Sequence, residues 1–231
     1  MEAKKHAKTV KLIGIILLIS LALSAVYSFI RLIAAPTEIL QGAPYQKVKS
    51  DYLLMLTQCL LGLLVMMLPT FVSKKWKIVV PNTIVILYYV FLYCAIYLGE
   101  VRNFYHLIPF WDDILHAFSG AMLGALGFIL VDLLNKNKKV SVSLSPFFIS
   151  VFAFCFAVSL GCIWEVYEFT LDSILGLNMQ KHTSSNGMAL VGNAALFDTM
   201  KDIIIDAAAA FVVSFIGYFA SKKQKTNKPL D

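Results

Sequence analysis

Runs of about twenty apolar residues, separated by short polar connections, dominate the pattern of this chain. A helix of that length crosses the ~30 Å hydrocarbon core of a bilayer, because each helical residue adds about 1.5 Å. The runs are too long and too evenly apolar for the alternating strands of a membrane barrel. The predicted fold class is therefore all-α, a polytopic membrane helical bundle that forms a single transmembrane domain over residues 1–231. Six spans are predicted, at about 12–34, 52–72, 78–98, 112–134, 146–172 and 197–220.

Lys and Arg residues are distributed unevenly between the two sets of connections. The N-terminal segment and every second connection after it hold fourteen of them, and the other connections hold four. Because basic residues favour the cytoplasmic side, this bias predicts that both termini are cytoplasmic. The net charge of +6 has the same origin, since the lysines cluster beside the spans and no nucleic-acid recognition motif is present. We therefore expect membrane lipids as partners and no nucleic acid.

Acidic residues interrupt the last three spans, in groups that the predicted topology places together at the outer membrane face. They are Asp112 and Asp113 with His116 in span four, Glu165, Glu168 and Asp172 in span five, and Asp198, Asp202 and Asp206 in span six. Within each group, residues three or four apart share one face of a helix. Burying an acid at the bilayer centre costs about 2.5–3.5 kcal/mol, so such residues are retained where they are paired, hydrated or bound to a cation. The spacing predicts one electronegative site near the outer face.

Three interpretations of this site are open. In the first, these nine residues supply the ligands of a metal ion, and an oxygen-rich set with one histidine suits Mg²⁺ or Mn²⁺, with Zn²⁺ or iron as further candidates. In the second, the carboxylates form a network that carries protons, because like charges at close range favour proton uptake. In the third they are structural, as salt bridges or as caps on free N–H groups where Asp112, Asp113 and Asp198 begin helices.

The sequence leaves open whether the protein is an enzyme. A metal-dependent hydrolase or transferase would act on a lipid or cell-envelope substrate, with Glu168 or Asp202 as the general base. A cation- or proton-coupled transporter is the alternative, although transporter sites usually lie near the bilayer midplane on broken helices within repeats. A non-catalytic protein that binds an envelope ligand is a third hypothesis.

Three strings in spans four to six carry a resemblance to a known family. They are WDDILHAFSG at 111–120, WEVYEF at 164–169 and DTMKD at 198–202. In these strings the chain resembles the YjdF-type family of uncharacterised bacterial inner-membrane proteins, and it is distantly similar to the VanZ-like family, which is linked to teicoplanin resistance. The resemblance implies a multi-pass protein of the bacterial plasma (inner) membrane, and it implies no particular activity.

Overall fold

Helices make up nearly all of the structure, a computed structural model that describes residues 2–37, 47–77, 79–135, 144–184 and 188–226. In chain order the elements are α1 (Glu2–Ala34), α2 (Lys49–Val65), α3 (Leu68–Trp76), α4 (Asn82–Leu92), a π-helix (Tyr93–Val101), α5 (Phe104–Leu107), α6 (Trp111–Asn135), α7 (Pro146–Leu175) and α8 (Asn193–Thr226). Among these residues, β-pairing is limited to an isolated bridge between Thr183 and Ala189. The predicted all-α fold class is confirmed.

Six helical segments of the described chain are long and apolar enough to cross a membrane. They are His6–Ala34, Lys49–Lys75, Asn82–Val101, Trp111–Leu134, Pro146–Leu175 and Asn193–Lys223. Each overlaps one predicted span, and most are longer because the helices continue into polar connections where hydropathy gives no signal. The protein is therefore a multi-pass membrane protein. The placement of both termini in the cytoplasm stays a prediction.

The third span differs most from its prediction. The predicted start at residue 78 lies outside the described residues, and the observed helix begins after Pro81, which occupies the N-cap position. Toward its other end the span becomes a nine-residue π-helix, where Gly99 packs against the ring of Tyr105. A Cβ at Gly99 would lie 2.5 Å from that ring, so only glycine permits this approach. Hydropathy cannot distinguish a π-helix from an α-helix, because either form can occur in an apolar run that crosses the membrane.

The chain divides into two compact units. The first comprises Met1–Asp112 with Ser173–Leu177, and the second comprises Asp113–Asp172 with Asn178–Asp231. The prediction of a single transmembrane domain over 1–231 is not tested by this division and stays a prediction. In the first unit, Leu21 of α1 and Ile96 of the π-helix meet over Gly62 of α2, where a Cβ would lie within 3 Å of both side chains.

Small residues allow the three long helices of the second unit to approach closely. A Cβ at Gly127 of α6 would lie 2.7 Å from the Cα of Ala153 on α7, and a Cβ at Gly120 would lie 2.5 Å from the backbone oxygen of Asp206 on α8. Helices in lipid associate through such backbone contacts, because no hydrophobic force draws them together. The close approach brings the polar residues of α6, α7 and α8 into one region.

Candidate metal centre

His116 is a buried imidazole with a carboxylate on each side. Its Nδ1 lies 3.2 Å from Oδ2 of Asp206, and its Nε2 lies 3.7 Å from Oδ2 of Asp202. The three residues are 7%, 3% and 1% exposed, respectively. The shorter separation is that of a hydrogen bond and the longer one is not, which favours the tautomer with the proton on Nδ1. In that tautomer the Nε2 lone pair faces Asp202, which is the arrangement of a metal-binding histidine oriented by a carboxylate.

The carboxylate of Asp206 is held in place from several directions. Ser119, three residues after His116 on α6, donates a hydrogen bond from Oγ to Asp206 Oδ1 at 2.9 Å. On the α7 side, a Cβ at Gly161 would lie 2.6 Å from Asp206 Oδ2, so any larger residue would displace this carboxylate. Asp206 is therefore fixed by its neighbours, and through its hydrogen bond it fixes the orientation of the His116 ring.

Asp112 completes a group that fits a metal ion. One ligand atom from each of Asp112, His116 and Asp202 lies within 4.8 Å of the other two. Asp112 lies on α6, one turn before His116. Two ligands that are each 2.0–2.2 Å from one ion lie about 3–3.5 Å apart. The separation of 3.7 Å between His116 and Asp202 therefore needs only a small movement to close on a cation.

The donor set of this group limits the choice of metal. Two carboxylates and one imidazole contain no thiolate, and they suit Mg²⁺, Mn²⁺ or Zn²⁺, which are among the ions predicted from the sequence. Three protein ligands also leave positions for water or for a ligand, as in catalytic rather than purely structural sites.

Glu165 on α7 is a second buried acid beside His116. It is 4% exposed, and neither of its carboxylate oxygens has a hydrogen bond of ordinary geometry within the described part of the chain. His116, Gln180 and Thr199 are its polar neighbours. The amide of Gln180 donates to Thr199 Oγ1 at 2.8 Å. Because an unsatisfied buried carboxylate is costly, such a residue indicates a function.

Two of the predicted ligands have lysine partners. Asp113 Oδ1 lies 2.6 Å from the Lys201 Nζ, and Asp198 Oδ1 lies 2.9 Å from the Lys181 Nζ. These ion pairs compensate the two carboxylates without a metal, which matches the structural interpretation for these positions. Glu168, the predicted general base, is also buried, on α7 one turn beyond Glu165.

Asp172 fastens the connection between α7 and α8. Its two carboxylate oxygens accept hydrogen bonds from the backbone N–H groups of Met179 at 2.8 Å and Gln180 at 3.0 Å. The imidazole Nδ1 of His182 lies 3.4 Å from the same carboxylate. Bonds from two consecutive backbone N–H groups bind a carboxylate tightly. These contacts explain why Asp172 is buried: its carboxylate holds the loop between α7 and α8 in place.

The site extends from the predicted outer end of the spans toward their mid-length. His116 is the sixth of 24 residues in its span, close to the predicted outer end. Asp206 is the fourteenth of 31 residues in its span, and Gly161, which it contacts, is the sixteenth of 30. The Asp206 carboxylate therefore lies near the middle of both spans.

The structure thus brings part of the predicted site together. Asp112, His116 and Asp202 form one group. Asp206 orients His116, and Glu165 lies beside His116. The other partners described above belong to Asp113, Asp172 and Asp198. Sequence reasoning missed Ser119, although its spacing from His116 placed it on the same helix face, and it missed Gly161, for which the sequence contains no clear signal. The assignment of these residues to metal binding and catalysis stays a prediction.

Comparisons with known proteins identify relatives without a known activity. A family model described as "Predicted membrane protein (DUF2238)" matches residues 15–223. A protein of Thermotoga maritima, described as an uncharacterized protein, is 32% identical over 127 residues, which are 52% of this chain and 54% of that protein. The chain thus spans about half the length of this curated relative. No solved structure matches. The match is consistent with the YjdF-type resemblance, while the similarity to the VanZ-like family is not shown and stays a prediction.

Proposed function

The chain belongs to the DUF2238 family of predicted membrane proteins, and from this premise we propose that it is a metal-dependent membrane enzyme with a divalent cation at Asp112, His116 and Asp202. The cation serves hydrolysis or group transfer on a lipid or cell-envelope substrate in a bacterial plasma membrane. One observation carries this proposal: Asp206 holds the Nδ1 side of His116, while the Nε2 side faces Asp202. A histidine oriented in this way is characteristic of metal sites.

Each residue of the proposed site has its own chemical role. When bound, a divalent cation polarises a phosphoryl or carbonyl oxygen and activates water. Asp112, His116 and Asp202 would hold it, and Asp206 keeps the imidazole in the binding tautomer. With Asp202 engaged as a ligand, Glu168 is the candidate general base that accepts the proton of the attacking water.

The surroundings of the site favour a substrate that resides in the membrane. Val166 and Phe169 of α7, adjacent in sequence to Glu165 and Glu168, are each more than 60% exposed and apolar. On a membrane-spanning helix, exposed apolar side chains of this kind face the lipid. A molecule that reaches this part of α7 from the bilayer is therefore a lipid or a lipid-linked compound.

A cation- or proton-coupled transporter is the second candidate. It is favoured by the depth of Asp206, near mid-length of its span, since the ion sites of transporters lie near the bilayer midplane. In that function the carboxylates of Asp202 and Asp206 exchange an ion between the two sides of the membrane. Cation-dependent flux in proteoliposomes separates the two candidates, because an enzyme of the proposed kind sustains none.

Metal analysis of the purified full-length protein tests the proposed site. The protein is loaded with Mn²⁺, freed of excess ion by gel filtration and analysed by mass spectrometry of the metal. We expect stoichiometric metal in the wild type and loss of it in Asp202→Asn. Asp198→Asn is the matched control, since it makes the same change one turn earlier on α8 in a residue paired with Lys181. Equal metal content in the two variants, or none in the wild type, contradicts the proposal.

A further inference from the structure

Glu165 has His116, Gln180 and Thr199 as its favourable polar neighbours, and no lysine or arginine forms an ion pair with it among the described residues. The nearest lysines on α8 and on the preceding loop, Lys201 and Lys181, form ion pairs with Asp113 and Asp198. Neither Glu165 oxygen has a hydrogen bond of ordinary geometry among the described residues, although the carboxylate is 4% exposed. An ionised carboxylate in such a position is stabilised by a positive partner, because removing the charge from water is unfavourable.

The proposed cation does not satisfy this requirement by itself. Glu165 lies outside the group whose ligand atoms come within 4.8 Å of one another. The carboxylates of Asp112 and Asp202 already balance the two positive charges of a divalent ion. Among its favourable polar neighbours, Gln180 and Thr199 are uncharged, and the His116 imidazole is already engaged by Asp206 and by the proposed cation. A cationic group that comes with the ligand would complete the charge balance of Glu165.

We propose that the site recognises a zwitterionic head group, with a phosphate oxygen at the cation and an ammonium at Glu165. An ammonium group supplies three hydrogen-bond donors and a positive charge, which is what a buried, unsatisfied carboxylate lacks. A phosphate oxygen is a ligand that Mg²⁺ and Mn²⁺ prefer. The ligand class is an aminoalkyl phosphate lipid of the phosphoethanolamine type. This inference rests on the proposed function, because the cation holds the phosphate end.

Charge balance favours this class over an anionic head group. A phosphodiester with an ammonium group is neutral overall, so it adds no net charge to a region that already contains Glu165 and Asp206. A phosphoglycerol head group would place its negative charge beside these carboxylates with no compensating group, and like charges brought into a poorly solvated site repel strongly. The site should therefore distinguish the two head groups by charge.

The test compares two soluble phosphomonoesters on the full-length, Mn²⁺-loaded protein. O-phosphoethanolamine and glycerol phosphate are titrated separately, and binding is followed through the enhanced ³¹P relaxation that a nearby Mn²⁺ ion causes. We expect the ammonium compound to bind about tenfold more tightly or better, as for a close charge pair that is removed from water. In Glu165→Gln, a change that preserves size, we expect Mn²⁺ to be retained and the two affinities to become equal.

Glu100→Gln is the matched control. Glu100 is also an acid of a membrane span, but it belongs to the first unit, where Lys47 and Asp51 are its charged neighbours. This variant should keep the preference of the wild type. The comparison of the two compounds on the wild type needs no variant, so equal binding would overturn the inference even if Glu165→Gln does not fold.

The outcomes separate the two proposals. A wild-type protein that binds no Mn²⁺ contradicts the proposed function and this inference together. A Mn²⁺-loaded protein that binds both phosphates equally overturns this inference alone. A preference for phosphoethanolamine that survives in Glu165→Gln overturns it as well, because another group then recognises the ammonium.

Discussion

Replacement of Gly120 by alanine tests how closely α6 must approach Asp206. The added Cβ would lie 2.5 Å from the backbone oxygen of Asp206 and 2.9 Å from its Cα, and real Cβ atoms essentially never come within 3.0 Å of another atom. Both atoms belong to the backbone of α8, so no side-chain rotation relieves the contact. The two helices must therefore separate, and Asp206 moves away from His116.

The expected change in the free energy of unfolding for Gly120→Ala is the difference between two opposing contributions. Overpacking of this kind costs about 1–3 kcal/mol, and alanine regains about 0.5–1 kcal/mol over glycine in a helix interior. A net destabilisation of about 1–2 kcal/mol is expected for Gly120→Ala. The matched control is Gly124→Ala, one turn further along α6, where the nearest atom is a Val213 side-chain carbon at 3.5 Å, an ordinary contact. That variant should be as stable as the wild type or slightly more stable.

The assay is the unfolding of both variants in the same detergent, with Mn²⁺ affinity measured in parallel. Gly120→Ala should unfold at a lower temperature than Gly124→Ala, and its affinity for Mn²⁺ should fall because His116 loses its hydrogen bond to Asp206. If the two variants unfold together and bind Mn²⁺ equally, the close contact between Gly120 and Asp206 is absent and the geometry given for His116 is wrong.

Three further predictions follow from the same contacts. Asp206→Asn should weaken Mn²⁺ binding by about 10- to 100-fold without abolishing it, since Asp206 acts through His116, and a metal titration measures this; abolition would make Asp206 a direct ligand. Asp172→Asn should speed hydrogen exchange of the Met179 and Gln180 amides by about tenfold or more while metal binding is unchanged; unaltered exchange would show that Asp172 does not fasten the loop. Reporter fusions at the two termini should both report the cytoplasm, and an external location for either end would contradict the charge bias of the connections.

The fold was largely predictable because membrane spans obey a simple physical rule. Every backbone group in lipid must be bonded within its own helix, so a long apolar run has few alternatives. The same rule could not predict the π-helix at Tyr93–Val101, because a π-helix also satisfies its backbone groups within its own helix. It could not give the helix ends either, since α8 begins four residues before the predicted span.

The sequence indicated the region where the acids meet but not which residues pair with one another there. Helical spacing and topology placed the acids of α6, α7 and α8 at a common end, and the structure brings His116, Asp202 and Asp206 together. Spacing does not show which acid pairs with which base. Asp172 illustrates the limit, because its role depends on a loop in which Lys181 adopts a positive φ of 48°, a conformation that the sequence does not indicate.

Pulsed electron paramagnetic resonance of the Mn²⁺-loaded protein tests the central claim most directly, because it detects imidazole nitrogen bound to the ion. The account predicts the ¹⁴N coupling of a single histidine in the wild type and its loss in His116→Gln. His6, His106 and His182 remain in that variant as internal controls. A Mn²⁺-loaded wild type without nitrogen coupling, or a coupling that persists after His116 is replaced, would contradict the claim that His116 binds a metal.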